Sequence, residues 1–339
     1  MKLGDLSVTY VDVMMRTVER LGFDSSELLK QFRIDQTTLA SPDARISIPR
    51  YMRLGYAAIE LTGCPWLGLE MGANTQAVHY GHTGLLAMTA SSVLEACQDI
   101  ADFGLLSSYN ARGSVQFDAS SKSPLLSFYS IDPYNDYNRF VVDSVLSGWF
   151  YVLKQMTGRS DCVEQIHIEF SAPSYAEKYK EYLPCPIKFA AQANQLLLNS
   201  SIMARPLMQS CASVHEALRL YAEREITKVR LGLSYIERVG RVISPMLVGK
   251  TPDMDEVASR LNMTPWTLRR RLEAENSSFQ QVLSDTRHWL AEAYLRDTHI
   301  SLGEIAYLTG FGSATAFQRA FKRWTGEAPG RYRDQYKDH

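Results

Sequence analysis

Residues 301–333 read SLGEIAYLTGFGSATAFQRAFKRWTGEAPGRYR, and the fold of the C-terminal third turns on them. Two short helical patterns flank Thr309–Ser313. Ser301 precedes the first, with Glu304 three residues on. In this S-x-x-E box the hydroxyl and the carboxylate each satisfy the other residue's backbone amide. Ile305, Ala306 and Leu308 give the first helix a buried side, and Ala306 is small enough for another helix to approach closely. Gly310 ends that helix in the left-handed conformation that glycine tolerates. Phe311 drops beneath the turn, and Ser313 is placed to cap the next helix. There Phe317, Ala320, Phe321 and Trp324 fall at i, i+3, i+4 and i+7 and form the buried stripe. Thr315, Gln318, Arg319 and Lys322 lie opposite. A short helix, a glycine turn and a second helix with a polar free face make a helix-turn-helix.

A similar pair occurs earlier, in TPDMDEVASRLNMTPWTLRRRLEAEN, residues 251–276. Thr251 is expected to cap its first helix, with Pro252 at the first helical position. Asp253, Asp255 and Glu256 favour the positive helix start. Val257, Ala258 and Leu261 face inward, and the turn is Asn262–Thr264. Leu268 and Leu272 are the buried pair of the second helix, whose outer face carries Trp266, Arg269, Arg270 and Glu273. Asn276 ends it where glycine would be usual. Between the copies, residues 277–298 read as one helix of about 18 residues, roughly 27 Å long. A spacer of that size suits two recognition helices about one DNA turn, ~34 Å, apart.

Charge sums do not reveal this. The chain has 339 residues and a net charge of -1. Residues 240–339 hold 14 Lys/Arg against 12 Asp/Glu, so the placement of the charges, rather than their total, points to nucleic acid. At 45% hydrophobic and 22% charged the composition is that of an ordinary globular protein of roughly two domains. No apolar run reaches the ~18 residues of a membrane span, and the N-terminus lacks a signal-peptide layout. The cysteines at 64, 97, 162, 185 and 211 are scattered and odd in number. They are expected to be reduced thiols of a cytoplasmic protein.

The first 205 residues order as a mixed α/β domain. Helical patterns run over Val8–Gly22, Ile48–Gly63 and Ser91–Gly104, each closing on glycine. Ser114–Ser120 and Leu125–Ile131 alternate and read as a hairpin. A long apolar helix is expected from about Asn138 to Met156, then a strand from Val163, a short helix at Ser174–Leu183, and one or two strands up to Ser200. Pro206 closes the strand region. Two amphipathic helices then lead into the C-terminal pair. The expected organisation is 1–205 for a regulatory domain, 206–247 for linker helices and 248–339 for a double helix-turn-helix domain.

On these residues the C-terminal part resembles the DNA-binding domain of the AraC/XylS family of bacterial transcription regulators. The family's signature is met by Ile305, Ala306, Gly310, Phe311, Ser313, Phe317, Arg319, Phe321, Lys322, Gly326, Pro329, Tyr332 and Arg333. Leu272 stands where Phe is common, and Asn276 where Gly is common. The stretches YMRLGYAAIELTGCPWLGLEMG and YGHTGLLAMTASSVLEACQDIADFG resemble the N-terminal domain of the subfamily that includes ornithine-responsive members. That domain is of the arabinose-binding-domain type in name, and differs from the cupin-like barrel of the arabinose-binding regulator itself.

The resemblance implies an α/β N-terminal sensor domain, an all-α C-terminal domain and control by a small-molecule effector. It implies double-stranded DNA and RNA polymerase as partners, and activation more than repression. It leaves a homodimer open. It implies base contacts from Trp266, Arg269 and Arg270 in the first recognition helix and from Thr315, Gln318 and Arg319 in the second. Lys322 and Arg323 suit phosphates. No cofactor is expected. His79 and His82 have HxxH spacing without further ligands nearby, and Tyr129, Tyr134 and Tyr137 are candidate pocket residues. Two rival functions stand beside this one. An enzyme with an appended DNA-binding module would need a reactive Cys, a G-x-S-x-G elbow or a phosphate loop, and none is evident. A regulator whose N-terminal domain only dimerises would need no ligand.

Overall fold

The structure is a computed structural model that describes residues 4–41, 44–110, 114–120, 122–130, 133–231, 234–298 and 300–335. Ser121 in the expected hairpin turn, Ile131 at the expected strand end and Leu233 lie outside the described residues. The chain divides into two compact units, one of Asp5–Thr227 and one from Lys228 onward. The first is α/β and the second is all-α.

In the first unit β1 (Gly4–Ser7) and α1 (Thr9–Arg20) are followed by β2 (Arg45–Ser47) and α2 (Ile48–Thr62). Next come α3 (Leu67–Ala73), α4 (Gly81–Thr89), α5 (Val93–Ser107) and β3 (Ser108–Asn110). The strands β4 (Gln116–Asp118) and β5 (Leu125–Phe128) precede the long α6 (Arg139–Thr157). The strands β6 (Val163–His167), β7 (Ile187–Lys188) and β8 (Asn194–Leu198) lead to α7 (Ala212–Leu231). A small sheet has the order β2-β1-β3, and a larger one the order β4-β5-β8-β6-β7. The hairpin is present, with Gln116 opposite Ser127 and Asp118 opposite Leu125. Gly104 does not end its helix as its position suggests, because α5 runs on to Ser107.

Helix α6 is apolar on most sides because it is covered on most sides. Leu146, Trp149, Phe150 and Leu153 are buried in the main core with Leu126, Ile166 and Leu196 of the sheet. On its other side it meets α3 at very short range. A Cβ on Gly68 would lie 2.4 Å from the Phe140 carbonyl oxygen, and one on Gly72 would lie 1.8 Å from Ser147 Oγ. Glycine at i and i+4 of α3 is what admits that approach. Helix α7 lies against α5. Buried Asp99 bonds to His215 Nε2 at 2.9 Å and to the Arg219 guanidinium at 3.4 Å, and Leu86 and Phe103 pack on Ala222 and Ile226.

Buried within α6, Asp143 accepts hydrogen bonds from the hydroxyls of Tyr175, at 2.8 Å, and Tyr179. Burial pushes its carboxyl from 3.8 up to about 7, against the opposing effect of those hydrogen bonds. The folded chain therefore holds a proton that the unfolded chain has released. This contribution to stability is complete below the unfolded value and is lost as pH rises towards 7. Asp143→Asn keeps an acceptor for the tyrosines and removes the titration. It should flatten the fall in melting temperature between about pH 4 and pH 7, measured by thermal denaturation across that range.

The second unit comprises α8 (Tyr235–Ile243), α9 (Met254–Arg260), α10 (Pro265–Ala274), α11 (Phe279–Asp297), α12 (Leu302–Leu308), α13 (Ala314–Thr325) and α14 (Pro329–Asp334). The linker α11 has 19 residues, so it is about 28 Å long. It packs against α8, α12, α13 and α14, while α8 carries α9 and α10. The two pairs end their first helices alike. In the second pair Phe311 N–H bonds to Ala306 O at 2.8 Å and Gly310 N–H to Tyr307 O at 3.1 Å. In the first, Met263 N–H bonds to Ala258 O and Asn262 N–H to Ser259 O, both at 3.0 Å. Both are Schellman closures, with Gly310 at φ 70° and Asn262 at φ 54°. Asn276 closes α10 in the same way, at φ 55°. The Ser301–Glu304 box and the Ser313 cap form as their sequence indicates, and Thr264, the last residue of the expected turn, caps α10. The cap of α9 is Asp253, whose carboxylate accepts from Glu256 N–H at 2.8 Å, instead of Thr251.

A side chain at 310 meets two penalties. The left-handed backbone costs about 1–2 kcal/mol for a residue bearing a Cβ, and that Cβ would lie 2.5 Å from Lys250 O. Gly310→Ala should therefore lower stability by more than the backbone term alone, whereas Asn262→Gly should leave it unchanged within about 0.5 kcal/mol. Urea denaturation of the full chain measures both.

Candidate nucleic-acid interface and regulatory cavity

The interface begins with what holds each recognition helix. Arg287 on α11 donates from Nε to Thr309 O at 2.9 Å and from a terminal nitrogen to Gly310 O at 2.7 Å and to Thr251 Oγ1. Its guanidinium lies 4.8 Å from the Phe311 ring centre. One cation thus covers the unsatisfied carbonyls at the end of α12, where the helix dipole is negative. It also ties the second turn to the segment before α9. Gly249 N–H to Tyr307 O, at 3.0 Å, ties the same two stretches. Below the turn, Phe317 and Phe321 are buried, and the Trp324 indole N–H donates to Ser284 Oγ at 3.2 Å. In the first pair, Glu275 at the end of α10 accepts from Tyr235 N–H and Ile236 N–H at 2.7 and 3.0 Å. Its carboxylate therefore caps α8. The Tyr235 ring lies between the guanidiniums of Arg238 and Arg271, 4.7 and 4.8 Å away.

Held this way, α10 exposes Trp266, Arg269 and Arg270, and α13 exposes Thr315, Gln318, Arg319 and Lys322. All seven residues expected from the sequence are on free faces. Trp266 is 67% exposed, unusual for so large an apolar ring, and the Arg270 guanidinium lies 5.5 Å from its centre. The side chains of Arg269, Arg319 and Lys322 make no hydrogen bond or ion pair with the described residues. Some other cations of the unit are engaged internally. Lys250 pairs with Glu256 at 2.9 Å, and Arg333 donates to Ile300 O at 2.6 Å. The exposed face of α13 carries no carboxylate.

The α/β unit holds a second feature that the sequence did not reveal. An apolar cavity with about 670 Å³ of empty space, part of it open to solvent, lies between β5 and helices α4, α5 and α6. Tyr10 and Tyr80 close one side, and Trp149, Phe128, Ile100 and Gly104 line much of the rest. The Tyr10 and Tyr80 rings meet edge to face, 5.9 Å apart. Burial raises the pKa of both hydroxyls, so both stay protonated. Its wall comes from several separate elements, so no local run of sequence announces it. The pocket candidates from sequence do not gather here. The Tyr134 hydroxyl donates to Glu169 and accepts from Asn194 Nδ2 at 2.8 Å. Tyr137 stacks on Tyr56 at 4.2 Å, and Tyr129 bonds to Gln116 at 3.5 Å. His79 Nδ1 accepts from Gln76 N–H at 3.0 Å, and His82 stacks on Tyr221 at 4.5 Å. Their stretch is the junction of a 3₁₀ turn, Ala77–Tyr80, with α4 rather than a loop.

Two helix-turn-helix motifs on a linker helix, joined in sequence to an α/β unit, define a DNA-binding transcription regulator. A family model described as the arabinose-binding domain of AraC transcription regulators matches residues 22–207, and a helix-turn-helix domain model matches 257–335. The chain belongs to the AraC family of transcription regulators. It is similar to the ornithine utilization regulator of Pseudomonas aeruginosa, 25% identical over 327 residues that cover 96% of each protein. It is also similar to the urease operon transcriptional activator of Escherichia coli, 42% identical over 82 residues, 24% of this chain and 28% of that protein. The crystal structure of the regulator CdpR from Pseudomonas aeruginosa aligns with a TM-score of 0.45 at 23% identity, over 91% of this chain and 96% of that one. These relatives are regulators of transcription, and the chain is a regulator rather than an enzyme. Among the described residues no helix is long and apolar enough to cross a membrane.

Hydrogen bonds to charged groups are each worth about 1.5–3 kcal/mol, and Arg287 makes several. Arg287→Ala should cost about 2–3 kcal/mol in urea denaturation of the full chain. Arg287→Lys keeps the charge but cannot span the same carbonyls with a planar fork, so it should recover less than half of that loss.

Proposed function

We propose that the chain is an effector-controlled activator that reads two successive major grooves with the outer faces of α10 and α13. What supports this is the ridge of exposed donors and acceptors on both helices, with the side chains of Arg269, Arg319 and Lys322 free of hydrogen bonds and ion pairs to the described residues. Arg269 and Arg270 suit a guanine edge, Gln318 an adenine, and Trp266 a thymine methyl. Thr315 and Arg319 extend the base-reading face of α13, and Lys322 reaches a phosphate. The 28 Å linker is close to the separation that two such helices need on one face of a duplex.

Control enters through the α/β unit. Ile100, Gly104 and Ser107 of α5 line the cavity, while Asp99 and Phe103 of the same helix hold α7. An effector in the cavity alters how α5 holds α7, and the segment 206–247 passes that change towards the DNA-binding domain, 248–339. Activation, through contact with RNA polymerase, follows the named activator among the relatives. Pairing of two copies is compatible with apolar residues that α7 leaves partly exposed, Val214 and Leu220.

Arg269→Ala and Gln318→Ala should each lose roughly 1–3 kcal/mol of binding to the operator while leaving the melting temperature unchanged. Fluorescence anisotropy on sites recovered by genome-wide mapping measures this. Equal operator affinity of parent and variants would remove these residues from the interface.

A further inference from the structure

We propose that the cavity of the α/β unit binds an uncharged, mostly hydrocarbon molecule with one hydrogen-bond-accepting oxygen, of the ketone, lactone or aromatic carbonyl class. The proposal deepens the effector-sensing reading above and rests on it. No Lys, Arg, His, Asp or Glu is among the described residues of the wall. An ion seated there would lose its hydration and find no counter-charge, and that penalty excludes it. Aromatic and aliphatic side chains dominate the surface, which favours hydrocarbon.

The polar atoms sort by what they already do. Thr83 Oγ1 donates to Phe103 O at 3.0 Å, and Ser107 Oγ donates to Tyr80 O at 2.8 Å. The Tyr10 hydroxyl is engaged with Ser108. The Tyr80 hydroxyl and the Trp149 indole N–H have no hydrogen-bond partner among the described residues. Both groups can donate, and the indole can only donate. The wall therefore offers the unused Trp149 indole N–H to a ligand that supplies an acceptor, with the Tyr80 hydroxyl, beside Gly148, as a second unused donor. Titratable side chains line a separate surface cleft instead, where Tyr56 and Glu60 lie with Asp136 and Arg139, the last two paired at 3.0 Å.

Gly104 gives the test its handle. A Cβ there would meet Val115 at 3.5 Å, an ordinary contact, so position 104 admits a side chain, and Gly104→Leu is expected to fill part of the cavity. The full chain and its Gly104→Leu and Tyr80→Phe variants are titrated with 2-octanone, acetophenone, octanoate, octylamine and ornithine. Thermal shift and operator affinity are read together. A neutral probe near saturation should raise the melting temperature of the parent by roughly 5 °C. Tyr80→Phe should weaken that binding at least 5-fold, and Gly104→Leu should abolish it with the unliganded melting temperature unchanged or higher. Should Gly104→Leu not fold, the loss on Tyr80→Phe carries the test alone. Octanoate and octylamine should leave the parent unshifted.

The proposal is overturned if neither ketone shifts the parent, or if the shift survives both substitutions. It is overturned equally if octanoate or octylamine stabilises as strongly and Gly104→Leu removes that effect. Ornithine changing operator affinity equally in parent and Gly104→Leu would keep effector sensing and reject this ligand class. Ketone binding that Gly104→Leu abolishes, with operator affinity unmoved by any probe, would keep the cavity assignment and reject sensing through it.

Discussion

Much of the DNA-binding unit depends on one guanidinium in the right place. A helix that ends at a tight turn leaves carbonyl oxygens without amide partners, and at a buried turn water cannot serve them. Arg287 serves two of them from the neighbouring linker helix and adds Thr251 from a third stretch. The Schellman closure alone would fix the angle between α12 and α13. The arginine fixes where that angle sits relative to the linker. Because the planar fork donates in several directions at once, three segments distant in sequence share one reference point. The position of the second recognition helix follows from it.

The first pair is anchored differently, and the difference has a physical origin. Its turn residue is Asn262, at φ 54°, a conformation that asparagine tolerates. Its register on the unit comes from Glu275, a carboxylate at the N-terminus of α8, where backbone amides and the helix dipole both favour negative charge. A cation at a helix end and an anion at a helix start therefore do corresponding work at the two sites. With those groups committed internally, the side chains of Arg269, Arg319 and Lys322 on the outer faces of α10 and α13 remain without partners among the described residues. On the proposed DNA-reading role their lack of protein partners is a positive feature, since a duplex would supply the missing charge.

Much of this was legible in the sequence because its determinants are local. The Ser301–Glu304 box, the Ser313 cap, Gly310 and Asn276 each act within a few residues, and the i, i+3, i+4, i+7 stripe through Phe317 and Trp324 needs no tertiary knowledge. The misplaced cap at Thr251 shows the limit. Thr251 and Asp253 are both good caps, and what decides between them is the Arg287 and Gly310 contact made by Thr251, across about forty residues of sequence or more. Gly104 misled for a related reason. Glycine is a stop signal locally, but here it sits inside a helix against an empty space that only the folded unit creates. The cavity was invisible because Tyr10, Tyr80 and Trp149 come from three distant stretches. The strands β1 and β2 are too short to show alternation, and the five-stranded sheet appeared in the sequence only as a hairpin and later strands without an order.

Helix α5 has a different tenant on each side. Positions 100, 104 and 107 turn towards the cavity, and positions 99 and 103 turn towards α7. On the effector-sensing reading, recognition and response are written on one rod in alternating letters. Exchanges at the inward positions retune which molecule is accepted, and exchanges at the outward positions retune what acceptance does. The two traits can thus drift apart over generations, so paralogues built on this scaffold could listen for unrelated compounds while answering them alike.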